Sequence, residues 1–504
     1  MAEKIKIAIV GGGTAGWMTA AALASLATER ICELVLVESE AIGTVGVGEA
    51  TIPAIKEFND LLGIPEQDFM QYTRATFKLG IEFCGWGPEN TSYIHPFGTF
   101  GEPISGSDFH QQWMRFAHSP QTQPLEAYCL AAQMCRQNRF EFPGREGDTH
   151  SSFAYAYHFD AGLYARYLRR HAEDKGVQRT EGRITEVRRN KDTGDIEAVI
   201  LESGAQISAD YFIDCSGFRS LLLGQSLGVG YESWQHWLPC DRAIAMPSGR
   251  NPMQPPFTRA IAKAAGWQWQ IPLQHRTGNG LVFQSALLSD DEAAASLRRS
   301  LNAPKTATPR VIRFEAGKRA CSWHKNCIAI GLAAGFLEPL ESTSIYLIQS
   351  AIAHFLSLLP GKTAPPPLVR EFNRQVDLEY ERARDFIILH YHLNARDDSE
   401  LWRYCRSMDI PGSLRARIEA FRKRGYIEQY RFGLFAPPSW LSVMMGQGLM
   451  PEHIDTLACS VEGVRAQHAL ESQLAMAQQT LNSMRSSSEF IGNYCAAATM
   501  EEFS

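Results

Sequence analysis

The chain has 504 residues, 45% of them hydrophobic and 21% charged, the proportions of a globular protein long enough for two or three domains at roughly 150 residues each. A formal net charge of −6 gives no reason to expect nucleic acid, and no run approaches the ~18 uninterrupted apolar residues of a membrane span. The eleven cysteines are scattered and odd in number, and no hydrophobic leader precedes the first strand, so reduced thiols and a cytoplasmic location are expected.

Lys4 to Val10 reads as a short strand, and Gly11-Gly12-Gly13-Thr14-Ala15-Gly16 follows at once. The Ala- and Leu-rich stretch Trp17 to Ala27 then predicts a helix. Strand, Gly-x-Gly-x-x-Gly and helix together lay a dinucleotide pyrophosphate on a helix N-terminus. Gly11 makes the tight turn, Gly13 lets backbone amides approach the phosphates, and Gly16 lets helix and strand pack closely. The next apolar run, Leu34 to Val37, ends in Glu38, placed to bond a ribose 2′-hydroxyl. Residues 42–53, Ile-Gly-Thr-Val-Gly-Val-Gly-Glu-Ala-Thr-Ile-Pro, form a second glycine-rich loop suited to lying against a ligand. Gly48 and Ala50 of that loop join Thr14 and Ala15 as candidate cofactor contacts.

Residues 54–80 predict helix, and the aromatic- and Gly-rich stretch 81–110 predicts strands and loops. A helix is expected from Ala161 to Lys175. Residues 178–213 alternate, turn at Asp192-Thr-Gly-Asp195, and read as a hairpin sheet whose last strand ends at Asp214-Cys215-Ser216-Gly217, a second expected dinucleotide contact. Residues 240–315 read as an antiparallel sheet over the cofactor. Ile328 to Gly335 is a strand and turn, with Gly335 a further candidate contact, and Ser344 to Leu359 is a long apolar helix. The Pro-rich break Ala364-Pro365-Pro366-Pro367 marks a boundary, beyond which nearly everything reads as helix. Leu470, Leu474, Leu481 and Met484 form a stripe there that reads as core.

Three points could carry chemistry. Trp267 and Trp269, spaced by two on one strand, face the same side, as core aromatics or as a wall. Lys78 stands among Phe77, Leu79 and Ile81; it either snorkels to water or is buried with its charge in use. Glu338-Pro-Leu-Glu341-Ser-Thr343-Ser344 opens the 344–359 helix. Its hydroxyl residues are cap material, while its exposed amides could hold an anion and Glu341 could take a proton. His and Cys lack ligand spacing, so no metal is expected.

Together these residues resemble the flavin-dependent tryptophan and indole halogenases, from the first strand to about residue 450. The markers are the Gly-x-Gly-x-x-Gly, the Gly-Val-Gly-Glu-Ala-Thr-Ile-Pro loop, Phe77-Lys78, Asp214-Cys-Ser-Gly-Phe-Arg219, Trp267-x-Trp269-x-Ile271-Pro272 and Pro339-Leu-Glu-Ser-Thr343. The resemblance implies an α/β fold: a Rossmann-like FAD-binding module over residues 1–365, with an interleaved substrate-side antiparallel sheet (about 81–150 and 220–315), then a helical subdomain over 366–504. It implies that FAD, reduced by a separate NAD(P)H-dependent reductase, yields hypohalous acid from oxygen and halide. The acid then crosses a tunnel to an aromatic substrate. By the same resemblance Lys78 hydrogen-bonds the acid or carries it as a haloamine, and Glu341 positions the electrophile and removes the ring proton. Trp267, Trp269, Ile271 and Pro272 belong to the tunnel wall, and backbone at Thr343 and Ser344 holds halide.

Two departures matter. Tryptophan-specific members usually carry Gly where this chain has Ser344, and a Cβ beside the halide favours bromide over chloride. The aromatic lid that clamps free tryptophan has no match; His95, Phe97 and Trp440 are candidate pocket aromatics, equally readable as core. The expected substrate is therefore an indole or substituted indole rather than free tryptophan. The competing readings are an FAD-dependent aromatic hydroxylase and a flavin-binding protein without turnover. Oligomeric state is left open, with room for a homodimer.

Overall fold

The structure, a computed structural model, describes residues 4–27, 31–41, 48–88, 90–144, 152–301, 309–430 and 433–497. Its first layer is a six-stranded sheet in the order Trp323–His324, Cys327–Ala329, Tyr211–Asp214, Ile5–Val10, Cys32–Glu38, Gln178–Glu181. All neighbours run parallel except Trp323–His324 at the edge. Both faces of the first strand are buried, with Ile5, Ile7 and Ile9 in the main core and Ala8 and Val10 in a second cluster. This is why the strand is apolar without a break from Ile7 to Val10. The following helix spans Thr14–Leu26. It begins three residues before the expected start because Gly13 is already its cap, so the glycine turn runs directly into the helix.

Residues 178–213 do not form one hairpin sheet. Gln178–Glu181 and Tyr211–Asp214 enter the parallel sheet, and only Ile184–Arg189, Ile196–Leu201 and Gln206–Ser208 pair antiparallel among themselves. Alternation along a strand says that a face is half-buried, not which neighbour it will pair with.

The second layer is a seven-stranded sheet: Arg310–Arg313, Arg242–Ser248, Thr277–Phe283, Gly266–Pro272, Thr258–Lys263, Gly80–Cys84, Ser92–Pro96. The expected antiparallel sheet from 240–315 is present, joined by two strands from the 81–150 stretch. The rest of that stretch carries helices at Phe109–Phe116 and Leu130–Arg136. Another unanticipated helix, Asp290–Ser300, opens with a reciprocal Ser289–Glu292 capping box, a signature legible in the sequence.

Residues 54–80 are only partly helical. Ala54–Leu62 and Glu66–Thr73 are helices, closed by Gly63 and Arg74 in left-handed conformations. Thr76–Lys78 is a strand, paired with Ala156–Asp160, which also pairs with Gly48–Ala50. Phe77 stacks on Phe140 at 3.9 Å, so sheet pairing and aromatic packing override the local helical pattern. Lys78 is therefore held on a strand end rather than a helix.

Beyond the Pro-rich break, Pro366–His392 is the longest helix, with proline in its first turn. From there on the elements are helical except for the two-residue strand Arg485–Ser486. Leu470 and Leu481 are buried, as their stripe predicts, while Met484 lies just past the end of the helix Gly463–Ser483. No helix among the described residues is long and apolar enough to cross a membrane.

Candidate active site

A cavity of about 910 Å³ starts at the first glycine motif. Gly11 has φ +117°, and a Cβ there would lie 2.3 Å from the Cys215 carbonyl; at Gly16 it would lie 1.8 Å from the Gly11 carbonyl. These two glycines let the helix close onto the strand. Gly13 caps the helix with no side-chain acceptor, and a Cβ there would meet nothing within 4 Å. Among the described residues nothing fills the space before the first helix amides, the geometry that receives an anion. Gly11, Gly13, Thr14, Ala15, Glu38, Gly48, Ala50 and Gly335 line the cavity, while residues 42–47 of the second glycine loop lie outside the described residues. Glu38 is held by Arg179 Nε (2.5 Å) and by Trp17 Nε1 (3.3 Å).

Asp214 differs from expectation. Its carboxylate accepts from the amides of Ser216, Leu222 and Leu223 and from the Ser216 hydroxyl. It is fully buried beneath the cavity, holding the turn that brings Cys215, Ser216 and Gly217 to the wall. With every acceptor direction taken up by its own loop, it shapes the wall instead of lining it.

The same cavity continues past Trp269, Ile271 and Thr258 to Pro339, Ser342 and Ser344. Trp267 and Trp269 do face the same side, with ring centroids 6.1 Å apart. Trp269 lies over Gly280 of the neighbouring strand, where a Cβ would come within 2.0 Å of the indole. Trp267 sits behind it, its Nε1 donating to Glu338 at 2.8 Å. Pro272 is off the wall; its carbonyl accepts from Thr76, two residues before Lys78, and pins the lysine strand.

Lys78 is fully buried, one hydrogen bond beyond the cavity wall. Its Nζ donates to the Thr51 carbonyl (2.9 Å) and to Ser342 Oγ (2.8 Å), and lies 5.1 Å from the Phe97 ring centroid. Burial pushes its pKa down to about 7, with the Glu341 charge opposing. Glu341 is equally buried. Its Oε2 takes the His95 Nδ1 at 2.8 Å, and His390 Nε2 lies 2.6 Å from Oε1. Burial would raise the carboxyl, but His95 and His390 more than offset it and hold it down at about 2. Ser342, between the lysine and the helix, has φ +58°; Thr343 Oγ1 is buried without a hydrogen-bond partner among the described residues; Ser344 is the first residue of the helix Ser344–Ser357.

His95 is surrounded by the rings of Phe97, Phe386 and Phe435. Trp440 is one step further back: its ring edge packs on Phe386 and its Nε1 donates to the Phe435 carbonyl. A proline-started helix, Pro437–Gly446, turns the indole into the core, where it supports Phe386 and Phe435 of the aromatic group.

Sequence reasoning missed four residues here. Glu49 lines the cavity, its carboxyl pushed up to about 8 by burial. Glu338, pushed up to about 7 by burial, anchors Trp267. His390 and Phe435 close around Glu341 and His95. A histidine inside the apolar run Phe386 to Tyr391 was the one signal that could have pointed to His390.

Fold and site together define a parallel-sheet enzyme in which one cavity runs from a glycine-rich strand–helix turn to Ser342, the serine that accepts from the buried Lys78. The tryptophan halogenase family model matches residues 6–462, and the chain belongs to that family. It is 36% identical over 477 residues to the tryptophan 6-halogenase SttH of Streptomyces toxytricini, covering 88% of this chain and 89% of that protein. Its structure is similar to that of Xcc4156, a flavin-dependent halogenase from Xanthomonas campestris (TM-score 0.94, 44% identity, 99% of this chain and 100% of the other). It is also similar to BrvH, a flavin-dependent halogenase from Brevundimonas sp. BAL3 (TM-score 0.93, 43% identity, 98% and 99%).

Proposed function

We propose that this enzyme halogenates an electron-rich aromatic, an indole or substituted indole, using FAD reduced by a separate NAD(P)H-dependent reductase. The open helix amides at Gly13 to Ala15, the Glu38 carboxylate and the glycine-lined wall fit an extended dinucleotide. Those residues would hold FAD, which when reduced would supply, with oxygen and halide, the hypohalous acid on which the rest of the chain acts.

Backbone at Thr343 and Ser344, on a helix N-terminus, holds the halide. Trp269 and Ile271 line a walled passage that keeps water and organic substrate from the flavin. The Lys78 ammonium donates to the oxygen of hypohalous acid, which makes that oxygen a better leaving group. The Glu341 carboxylate faces the cationic ring intermediate, stabilises it and accepts its proton. The hydroxide left behind takes a proton from Lys78 and departs as water, and the proton on Glu341 restores the ammonium. His95 and Phe97 flank the aromatic ring.

The observation that supports this reading best is the continuity of one cavity from Gly11 to Ser342, the serine that accepts from Lys78. The test is mass spectrometry of a mixture of enzyme, FAD, flavin reductase, NADH, bromide and indole. A bromine isotope doublet is expected from wild type and none from Lys78→Ala that still binds FAD. Hydroxyindole in place of bromoindole, or full bromination by Lys78→Ala, would overturn the proposal.

A further inference from the structure

Glu341 is the end of a buried chain of polar groups that the halogenation chemistry does not by itself require. The Gln447 amide donates to the Tyr93 hydroxyl at 3.0 Å. That hydroxyl lies 3.0 Å from His390 Nδ1, and the other ring nitrogen, Nε2, lies 2.6 Å from Glu341 Oε1. The four residues come from distant elements: strand Ser92–Pro96, the helical turn Pro339–Glu341, helix Pro366–His392 and the end of helix Pro437–Gly446. Phe83 stacks on both the His390 ring (4.4 Å) and the Tyr93 ring (5.1 Å), so neither is free to rotate away.

The direction of the protons follows from this chain. Gln447 fills an acceptor position of the Tyr93 oxygen with its own N–H, which leaves the tyrosine proton for His390 Nδ1. Burial disfavours a charged imidazole at His390, with Glu341 opposing. A neutral ring that accepts at Nδ1 carries its proton on Nε2, facing the carboxylate. The alternative tautomer would set a nitrogen lone pair against a carboxylate oxygen at 2.6 Å, which is repulsive. The Nε2–H is not well aligned on Oε1, and neither atom has another partner among the described residues, so each is left to the other.

We propose that Tyr93 and His390 are positioning residues for ring deprotonation: the tyrosine hydroxyl fixes the Nε2–H form of His390, which keeps Glu341 ionised and oriented until it accepts the ring proton. This rests on the halogenase reading above. In the step, the ring C–H bond breaks, its electron pair restores aromaticity, and the proton joins a Glu341 oxygen. Without the Tyr93 hydroxyl, Nδ1 is buried without its donor and only the carboxylate itself selects the Nε2–H form, so the ring no longer holds Glu341 in one place.

The experiment compares wild type, Tyr93→Phe, His390→Leu and His390→Gln with FAD, flavin reductase, NADH and bromide. The probes are indole and indole deuterated at every ring carbon. In wild type, attack by the electrophile is expected to limit the rate and the isotope effect to stay near unity. Tyr93→Phe and His390→Leu are expected to brominate at least about tenfold more slowly, the scale of a displaced base, with an isotope effect clearly above unity. The side-chain amide introduced by His390→Gln can donate to Glu341 and accept from Tyr93, so this variant should recover most of the rate. Because the isotope effect is a ratio within one variant, the folded fraction cancels. Slow variants whose isotope effect stays at unity, or variants as fast as wild type, would overturn the inference and leave the halogenase reading standing. A wild type that makes no bromoindole would overturn both.

Discussion

Replacing Lys78 by Met removes the charge while keeping a side chain of similar length. Burial moves the lysine from 10.5 to about 7. At about 1.4 kcal/mol for each tenfold change in acidity, the folded chain bears roughly 5 kcal/mol for holding this ammonium at low pH. Methionine leaves the Thr51 carbonyl and the Ser342 hydroxyl without their donor, at a cost of about 1–3 kcal/mol. The variant should therefore be the more stable protein below pH 7, by on the order of 2–4 kcal/mol. The folded-state pKa lies below the unfolded value, so the unfolded chain holds the extra proton between about pH 7 and 10.5. Wild-type stability accordingly climbs through that window, and the advantage of Met fades. Urea denaturation below, within and above the window measures both the gap and its slope. Alongside it, bromination of indole should vanish in the variant. A Lys78→Met protein less stable than wild type at the acid end, or a gap that ignores pH, would refute the idea that the fold bears a destabilising cation for chemistry.

Three further outcomes follow from the site. Glu341→Gln should brominate indole at least about tenfold more slowly, the scale of a positioned base. Its carboxyl is held at about 2, so Glu341 contributes stability above its unfolded value near 4.5 that is lost as pH falls toward 2. The variant's stability deficit at neutral pH should shrink over that range in acid titrations. Gly280→Val places side-chain atoms where the Trp269 ring now lies. Reduced flavin should still be consumed, bromoindole should fall and free hypobromite, captured by an added scavenger, should rise; unchanged coupling would show that Trp269 does not seal the passage. Ser344→Gly should shift the bromide-to-chloride product ratio toward chloride when both halides compete at equal concentration, and an unaltered ratio would end the proposed role of that Cβ.

The parts legible in the chain were those set by short-range geometry. The turn at Gly11, the helix that follows it, Glu38 at the next strand end and the proline that opens the long C-terminal helix all depend on neighbours a few residues away. Trp267 and Trp269 facing one side is likewise a property of any strand. Lys78 was misread as helical because its pattern is ambiguous over so short a run, and pairing with Ala156 settled it. Asp214 was misread for a different reason: a carboxylate at a strand tip can face a ligand or its own loop, and only the amides of Leu222 and Leu223 decide between them.

The sequence by itself thus determined the glycine turn, the helix that follows it and the acid at the next strand end, through spacing and residue chemistry, while the lysine, glutamate and tryptophans were singled out by their resemblance to the halogenases. Only the tertiary structure decided how they meet. Lys78 reaches a serine 264 residues away, Glu341 a histidine 246 residues back, and Tyr93 a histidine 297 residues on. Contacts of that separation come from sheet register and helix packing, in which each pairing is chosen by burial across the whole core. The acidity of a buried ammonium and a doubly flanked carboxylate, which depends on what surrounds them, is decided there too.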